Sequence, residues 1–186
     1  MRNVIDALRR AVSLGIGLLA GTAPAADGPA VPRLVARAFD SGFALSHDTY
    51  NGMGAGSDGR IYYVLSSESI DVGAKVYCYD PPTDSVRFLG DLTEACGEGG
   101  LKAIPQGKSH VNFVESDGKL YFCTHVGYYS IVDGMEKIGI PPEGYKPYPG
   151  GHFLAYDMST GKFEDLGIAP QGEGILTMTM DVTRKR

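Results

Sequence analysis

Short apolar runs separated by turn residues dominate the chain. Val111 and Phe113 fall on one side of an extended segment, Asn112 and Val114 on the other. The same alternation predicts four strands over Ser109–Glu115, Lys119–His125, His152–Asp157 and Lys162–Leu166. Ser116-Asp117-Gly118 separates the first two, and Asp157-Met-Ser-Thr-Gly161 the last two; both carry a glycine suited to positive φ. Consecutive short strands joined by tight turns pair as antiparallel neighbours. Val114 makes the second face partly apolar, so the sheet is expected to be covered on both sides.

The chain also echoes itself. SDGRIYYV (Ser57–Val64) matches SDGKLYFC (Ser116–Cys123), and VYCYDPPTDSVRFLGDL (Val76–Leu92) matches FLAYDMSTGKFEDLGIA (Phe153–Ala169). IPQGKSHVNFVE (Ile104–Glu115) matches APQGEGILTMTMD (Ala169–Asp181), and LSHDTYNGMGAGSDG (Leu45–Gly59) is a looser relative of the SHVNFVESDG stretch. A recurring unit of four antiparallel strands is the blade of a β-propeller. The expected fold is therefore all-β, a partial propeller over residues 43–186: about two four-stranded blades plus the first strand of a third. Residues 26–42 form a lead segment. The long stretch Val126–Gly151 carries four tyrosines and is expected to be ordered. An open stack leaves unpaired edges and apolar faces. The chain thus reads as a piece of a longer protein, with association that covers the blade edges as the alternative.

Composition agrees. Glycine is abundant at 26 residues, tyrosine and phenylalanine number 11 and 7, and tryptophan is absent. The net charge is -5, without a basic stripe interleaved with aromatics, so nucleic acid is not expected as a partner. Arg2, Arg9 and Arg10 precede an apolar run from Ala11 to Ala20, and Ala23-Pro24-Ala25 fits a small-x-small cleavage site. Residues 1–25 thus read as a signal peptide, with an amphipathic helix as the alternative. The run is short for a bilayer span, which takes ~20 residues. The mature product would be periplasmic or secreted, with no transmembrane segment. Cys78 and Cys123 lie in strand-like runs and read as buried; Cys96, in a Gly-rich loop, reads as the exposed thiol. No Cys-x-x-Cys pair supports structural zinc.

The segment AYDMSTGKFEDLG resembles a blade motif, Tyr-Asp-x-x-Thr-Gly-Lys, that recurs in kelch-, NHL- and streptogramin-lyase-like propellers. The stretches SHDTYNGMGAGSDGRIYYVL, DLTEACGEGGLKAIPQGKSHVNFVES and GYKPYPGGHFLAYDMSTGKFEDL resemble a group of uncharacterised exported bacterial β-propeller proteins. That resemblance covers nearly everything after Phe43. It implies a fold, an exported address and further blades, and no particular chemistry.

In an antiparallel meander, the start of strand one, the end of strand two and the start of strand three share a rim. His110, His125 and His152 occupy those places, Gln106 and Lys108 lead in, and His47 holds the corresponding place one unit earlier. Imidazoles there have three readings: His110, His125 and His47 hold a divalent metal, they contact a ligand without metal, or they hydrogen-bond loop carbonyls. His110 and His152 stand two strand spacings apart, ~10 Å, so joint ligation needs irregular backbone. Tyr128, Tyr129, Tyr145 and Tyr148 would either stack on sugar rings or pack the loop. Asp91, Glu94 and Glu98 read as a solvated acidic loop. No Gly-x-Ser-x-Gly elbow occurs, and GAGSDG lacks the following lysine of a phosphate loop. The expected function is binding of carbohydrate or another small polar ligand on the His- and Tyr-bearing face. The alternatives are a metal-assisted polysaccharide lyase or hydrolase, by architectural analogy with propeller lyases, and a protein-interaction scaffold.

Overall fold

Along Ile61–Leu65, Tyr62 and Val64 are buried while Ile61, Tyr63 and Leu65 are only half-covered, the period of two that a strand imposes. This segment belongs to the computed structural model of the protein, which describes residues 34–170 and 172–184. The leader reading for residues 1–25, and the start of the 26–42 segment, lie outside the described residues. The chain divides into two units, Met1–Arg37 and Ala38–Arg186. Residues 34–37 of the first are exposed and lack regular structure.

Within the second unit, β1 (Met53–Ala55), β2 (Ile61–Leu65), β3 (Lys75–Asp80) and β4 (Ser85–Asp91) form an antiparallel sheet in sequence order. A four-residue helix, α1 (Leu92–Ala95), follows, capped by Asp91, whose carboxylate accepts from the amides of Thr93 and Glu94. β5 (Gln106–Lys108), β6 (Val114–Ser116), β7 (Lys119–Cys123), β8 (His125–Val126), β9 (Tyr129–Val132) and β10 (Met135–Ile138) come next. β11 (His152–Asp157) and β12 (Lys162–Ile168) complete a second four-stranded sheet, ordered β6-β7-β11-β12. The fold is all-β.

Local chemistry explains the turns. Asp117 and Gly118 both adopt positive φ, 51° and 75°, the primed turn whose twist suits a two-residue hairpin. Asp133 and Gly134, at 52° and 76°, repeat this between β9 and β10. The turn after β11 is held by the Asp157 carboxylate, which accepts from Ser159 N, Ser159 Oγ and Thr160 N. These bonds hold the Asp157 carboxyl down at about 2.

The echoing segments take equivalent conformations. β3 and β4 slip register between Val76 and Tyr77, and β11 and β12 slip between Phe153 and Leu154, the matching pair. Asp84 and Gly161, also matched, both have positive φ. The two sheets pack face to face over one core, built from Tyr62, Val64, Val76 and Cys78 on one side and Leu120, Phe122, Leu154 and Tyr156 on the other. The Phe113 and Phe122 rings meet at 4.4 Å. Corresponding strands lie near each other: Phe113 N donates to Met53 O beside β1, and Gly90 of β4 leaves room for the Phe163 ring of β12. The far faces are also apolar. Tyr63, Tyr77 and Phe88 line one, and Phe153 and Leu166 lie on the other near Met178.

Four expectations need correction. The strand foreseen over Ser109–Glu115 is only Val114–Ser116; the preceding residues leave the sheet, and Gln106–Lys108 pairs instead with His125–Val126. Residues 172–184 contain no described strand. Residues 173–181 lack regular structure and are tied to the second sheet by Gly151 N to Glu173 O, Ile175 N to Thr124 O, and Cys123 Sγ against Met178 Sδ, and residues 182–184 form a turn. Cys96 is buried rather than exposed, because it stands four residues after Leu92 and its amide bonds the Leu92 carbonyl, so both face the core. Glu98 is not solvated with its acidic neighbours but is 7% exposed. Among the described residues, no helix is long and apolar enough to cross a membrane.

Candidate functional site

β5 pairs antiparallel with β8, Gly107 lies against Gly127 just after β8, and this pairing delivers two unlike polar side chains. The register is irregular between Gln106 and Lys108, and the two side chains enter separate sets of partners.

The Lys108 side chain is 0% exposed, yet it is charged. Its ammonium donates to Tyr50 OH at 3.1 Å, Glu68 Oε1 at 3.0 Å and Tyr129 OH at 3.2 Å. Three donors meet three acceptors. The same nitrogen sits 4.6 Å from the Tyr50 ring centroid and 4.8 Å from that of Tyr129. Burial pushes the ammonium pKa down, but the bonds from Tyr50, Glu68 and Tyr129 outweigh it and the net shift is upward. Lys108 therefore acts as a fixed post that orients two phenols and a carboxylate from three separate segments.

His110 lies outside the strands. Its ring packs on Tyr50 at 4.3 Å and on His125 at 4.6 Å. His125 Nδ1 is 2.8 Å from Val126 O, and Gly174 lies directly against its ring, leaving no space for a Cβ. A cleft of about 220 Å³ beside His110 is lined by Asn51, Asn112 and Thr177. His47 Nδ1 stands 2.9 Å from Asp48 Oδ2 and 3.7 Å from Glu68 Oε1. Among the described residues, His47, Asp48 and Glu68 are the one group of three such ligand-type side chains whose ligand atoms lie within 4.8 Å of one another. Of the proposed metal residues, His110 and His125 thus pair with each other, while His47 joins two carboxylates and is linked to them through Glu68, Lys108 and Tyr50.

Gln106 is 0% exposed and anchors a second, inner network. Its Nε2 donates to Glu98 Oε2 and to Gly150 O, each at 2.9 Å. Its Oε1 accepts from Thr124 Oγ1 and Tyr148 OH, each at 2.6 Å. Thr124 Oγ1 also accepts the His152 amide. The His152 ring is clasped by Asp165 at Nδ1, 2.9 Å, and Glu98 at Nε2, 3.0 Å. Both ring nitrogens are engaged, so His152 braces β11 and β12 against the loop after α1. Gln106, Tyr148 and His152 thus sit together, away from the Lys108 ammonium. Tyr128 packs on Ile104, Val126 and Tyr148. Tyr145 hydrogen-bonds Asp71 at a separate cleft of about 380 Å³ that includes Asp91, Glu94 and Lys102.

Asp48, Tyr50 and Glu68 were not among the sequence candidates. The first two adjoin His47 in the loosely echoed SHDTYN stretch, so a signal existed; Glu68 had none.

The histidine pair carries a pH consequence. Burial lowers the pKa of both His110 and His125; the charge of Lys108 adds to this for each, His125 adds further for His110, and Asp48 opposes it at His110. A histidine whose folded pKa lies below its unfolded value of ~6.5 makes the unfolded state bind more protons in that window. The contribution is complete above pH ~6.5 and declines as pH falls through the folded values. Thermal melts from pH 7.5 to 5.5 are expected to show a falling midpoint, less steep in His110→Gln and His125→Gln. A slope in both variants equal to that of the unsubstituted protein would show that these rings do not carry the effect.

The chain matches no protein-family model, and no curated protein matches it.

Proposed function

We propose that this chain forms part of an exported β-propeller that binds carbohydrate or another small polar ligand, on the surface that Lys108 organises. Several features support the propeller reading. The two sheets share one strand order, their register slips occur at matched residues, and they pack on a common core in which β4 and β12 meet at Gly90 and Phe163. Apolar far faces on both sheets are what neighbouring blades would cover.

One observation carries the ligand reading: a single buried ammonium holds Tyr50, Tyr129 and Glu68 in fixed relation. Tyr50 is 43% exposed and Glu68 has a 37% exposed side chain, so both an aromatic surface and a carboxylate acceptor reach solvent. Rigid aromatic faces beside fixed hydrogen-bonding groups suit sugar rings, which offer both C–H surfaces and hydroxyls. Orientation by Lys108 removes part of the ordering cost of binding. His110 extends this surface, backed by the buried His125 ring.

Fluorescently labelled protein, stripped of metal, is expected to give saturable hits on a glycan array. Tyr50→Ala should weaken the best hit about tenfold or more, a loss of ~1.4 kcal/mol, with an unchanged circular dichroism spectrum. An array without hits would count against carbohydrate. Undiminished binding by Tyr50→Ala would move the ligand elsewhere.

A further inference from the structure

His47, Asp48 and Glu68 form a group separate from the packed histidine pair, with the open side that a ligating site needs. We propose that these three side chains bind a divalent cation of the Mn²⁺ or Zn²⁺ class. The donors are one imidazole nitrogen and two carboxylates, a set suited to such ions. Adjacent ligands on an octahedral ion with bonds of ~2.1 Å stand ~3.0 Å apart. The His47 nitrogen lies 2.9 Å from the Asp48 oxygen and 3.7 Å from that of Glu68, so slight adjustment brings all three around one ion.

A second observation points to the same place. Asp48 Oδ1 is buried and has no hydrogen-bond partner. Ser66 is 1% exposed, and its hydroxyl is likewise unpartnered. Ser66 N donates to Asp48 O at 2.7 Å, and its side chain bears on the Asp48 carboxyl. The Asp48 carboxyl is thus seated against the Ser66 side chain, while its Oδ2 faces His47 and is the oxygen offered to an ion. The His47 side chain is 57% exposed, which gives an ion an entry path and open positions for water or a sugar hydroxyl.

Lys108 limits the affinity. Its ammonium is 3.0 Å from Glu68 Oε1 and repels an incoming cation. Two carboxylates against one ammonium still leave one net negative charge, so the ion is held reversibly rather than trapped. The inference does not depend on the carbohydrate reading, since the ion is tested without any sugar.

The test is titration of the full chain, free of any polyhistidine tag, with Mn²⁺ alone, followed by loss of the free-ion paramagnetic resonance signal. One ion per chain is expected to bind saturably below ~1 mM. Asp48→Asn and His47→Ala should each weaken binding tenfold or more, and His152→Gln should leave it unchanged. His47 is exposed, so its replacement does not threaten folding; dichroism checks Asp48→Asn. Absence of saturable binding, or retention of it in His47→Ala, would overturn the proposal.

Discussion

Gly107→Ala is expected to lower the melting midpoint by about 10 °C, which corresponds to a loss of more than ~3 kcal/mol in a chain of this size. A Cβ at this position would lie 2.6 Å from Gly127 Cα, 2.7 Å from Gly127 N and 2.7 Å from Ser67 O. All three obstacles are backbone, so no side chain can rotate away. Ser67 N also donates to Gly107 O at 2.9 Å, which ties the third segment to the same point. Relief requires β5 and β8 to separate, and that carries Lys108 away from Tyr129 and Glu68. Hydrogen exchange should therefore accelerate at Gln106–Lys108 and His125–Val126 before it does in β11. A drop of less than ~2 °C would mean that the Gly107–Gly127 contact is looser than described.

The second large effect is expected at Gln106→Leu. Leucine fills most of the volume but satisfies none of the four hydrogen bonds. Thr124 Oγ1, Tyr148 OH and Gly150 O lose partners in the interior, and Glu98 retains only His152. An unsatisfied buried polar group costs about 1–3 kcal/mol, and the affected groups share one network, so the sum is about 3–5 kcal/mol. Melts should fall by about 10 °C or more, whereas Tyr148→Phe, which removes one hydroxyl, should cost about 1 kcal/mol. Equal effects of the two variants would show that Gln106 is not the hub.

Much of the strand framework was legible because its determinants are local. β11 begins and ends where alternation and the Asp157–Gly161 turn place it, and Asp117-Gly118 makes the expected hairpin. The β9–β10 hairpin was equally readable from Asp133-Gly134, a turn of the same kind inside a stretch taken as loop. Alternation alone failed at Ser109–Asn112. It says which side chains could share a face, but not whether a neighbouring strand is there to pair. Cys96 misled for a similar reason: glycine-rich surroundings suggest exposure, while a four-residue helix turns the thiol inward beside Leu92.

The residue pattern by itself determined an all-β chain of antiparallel meanders, since period-two alternation and left-handed Asp and Gly turns act within a few residues. Only the tertiary structure sorted the histidines. His152 is claimed by Glu98 and Asp165, His110 meets His125, and His47 meets Asp48 and Glu68. Several of those partners lie far apart along the chain, and burial forces each polar group to find whichever one the packed sheets bring within reach.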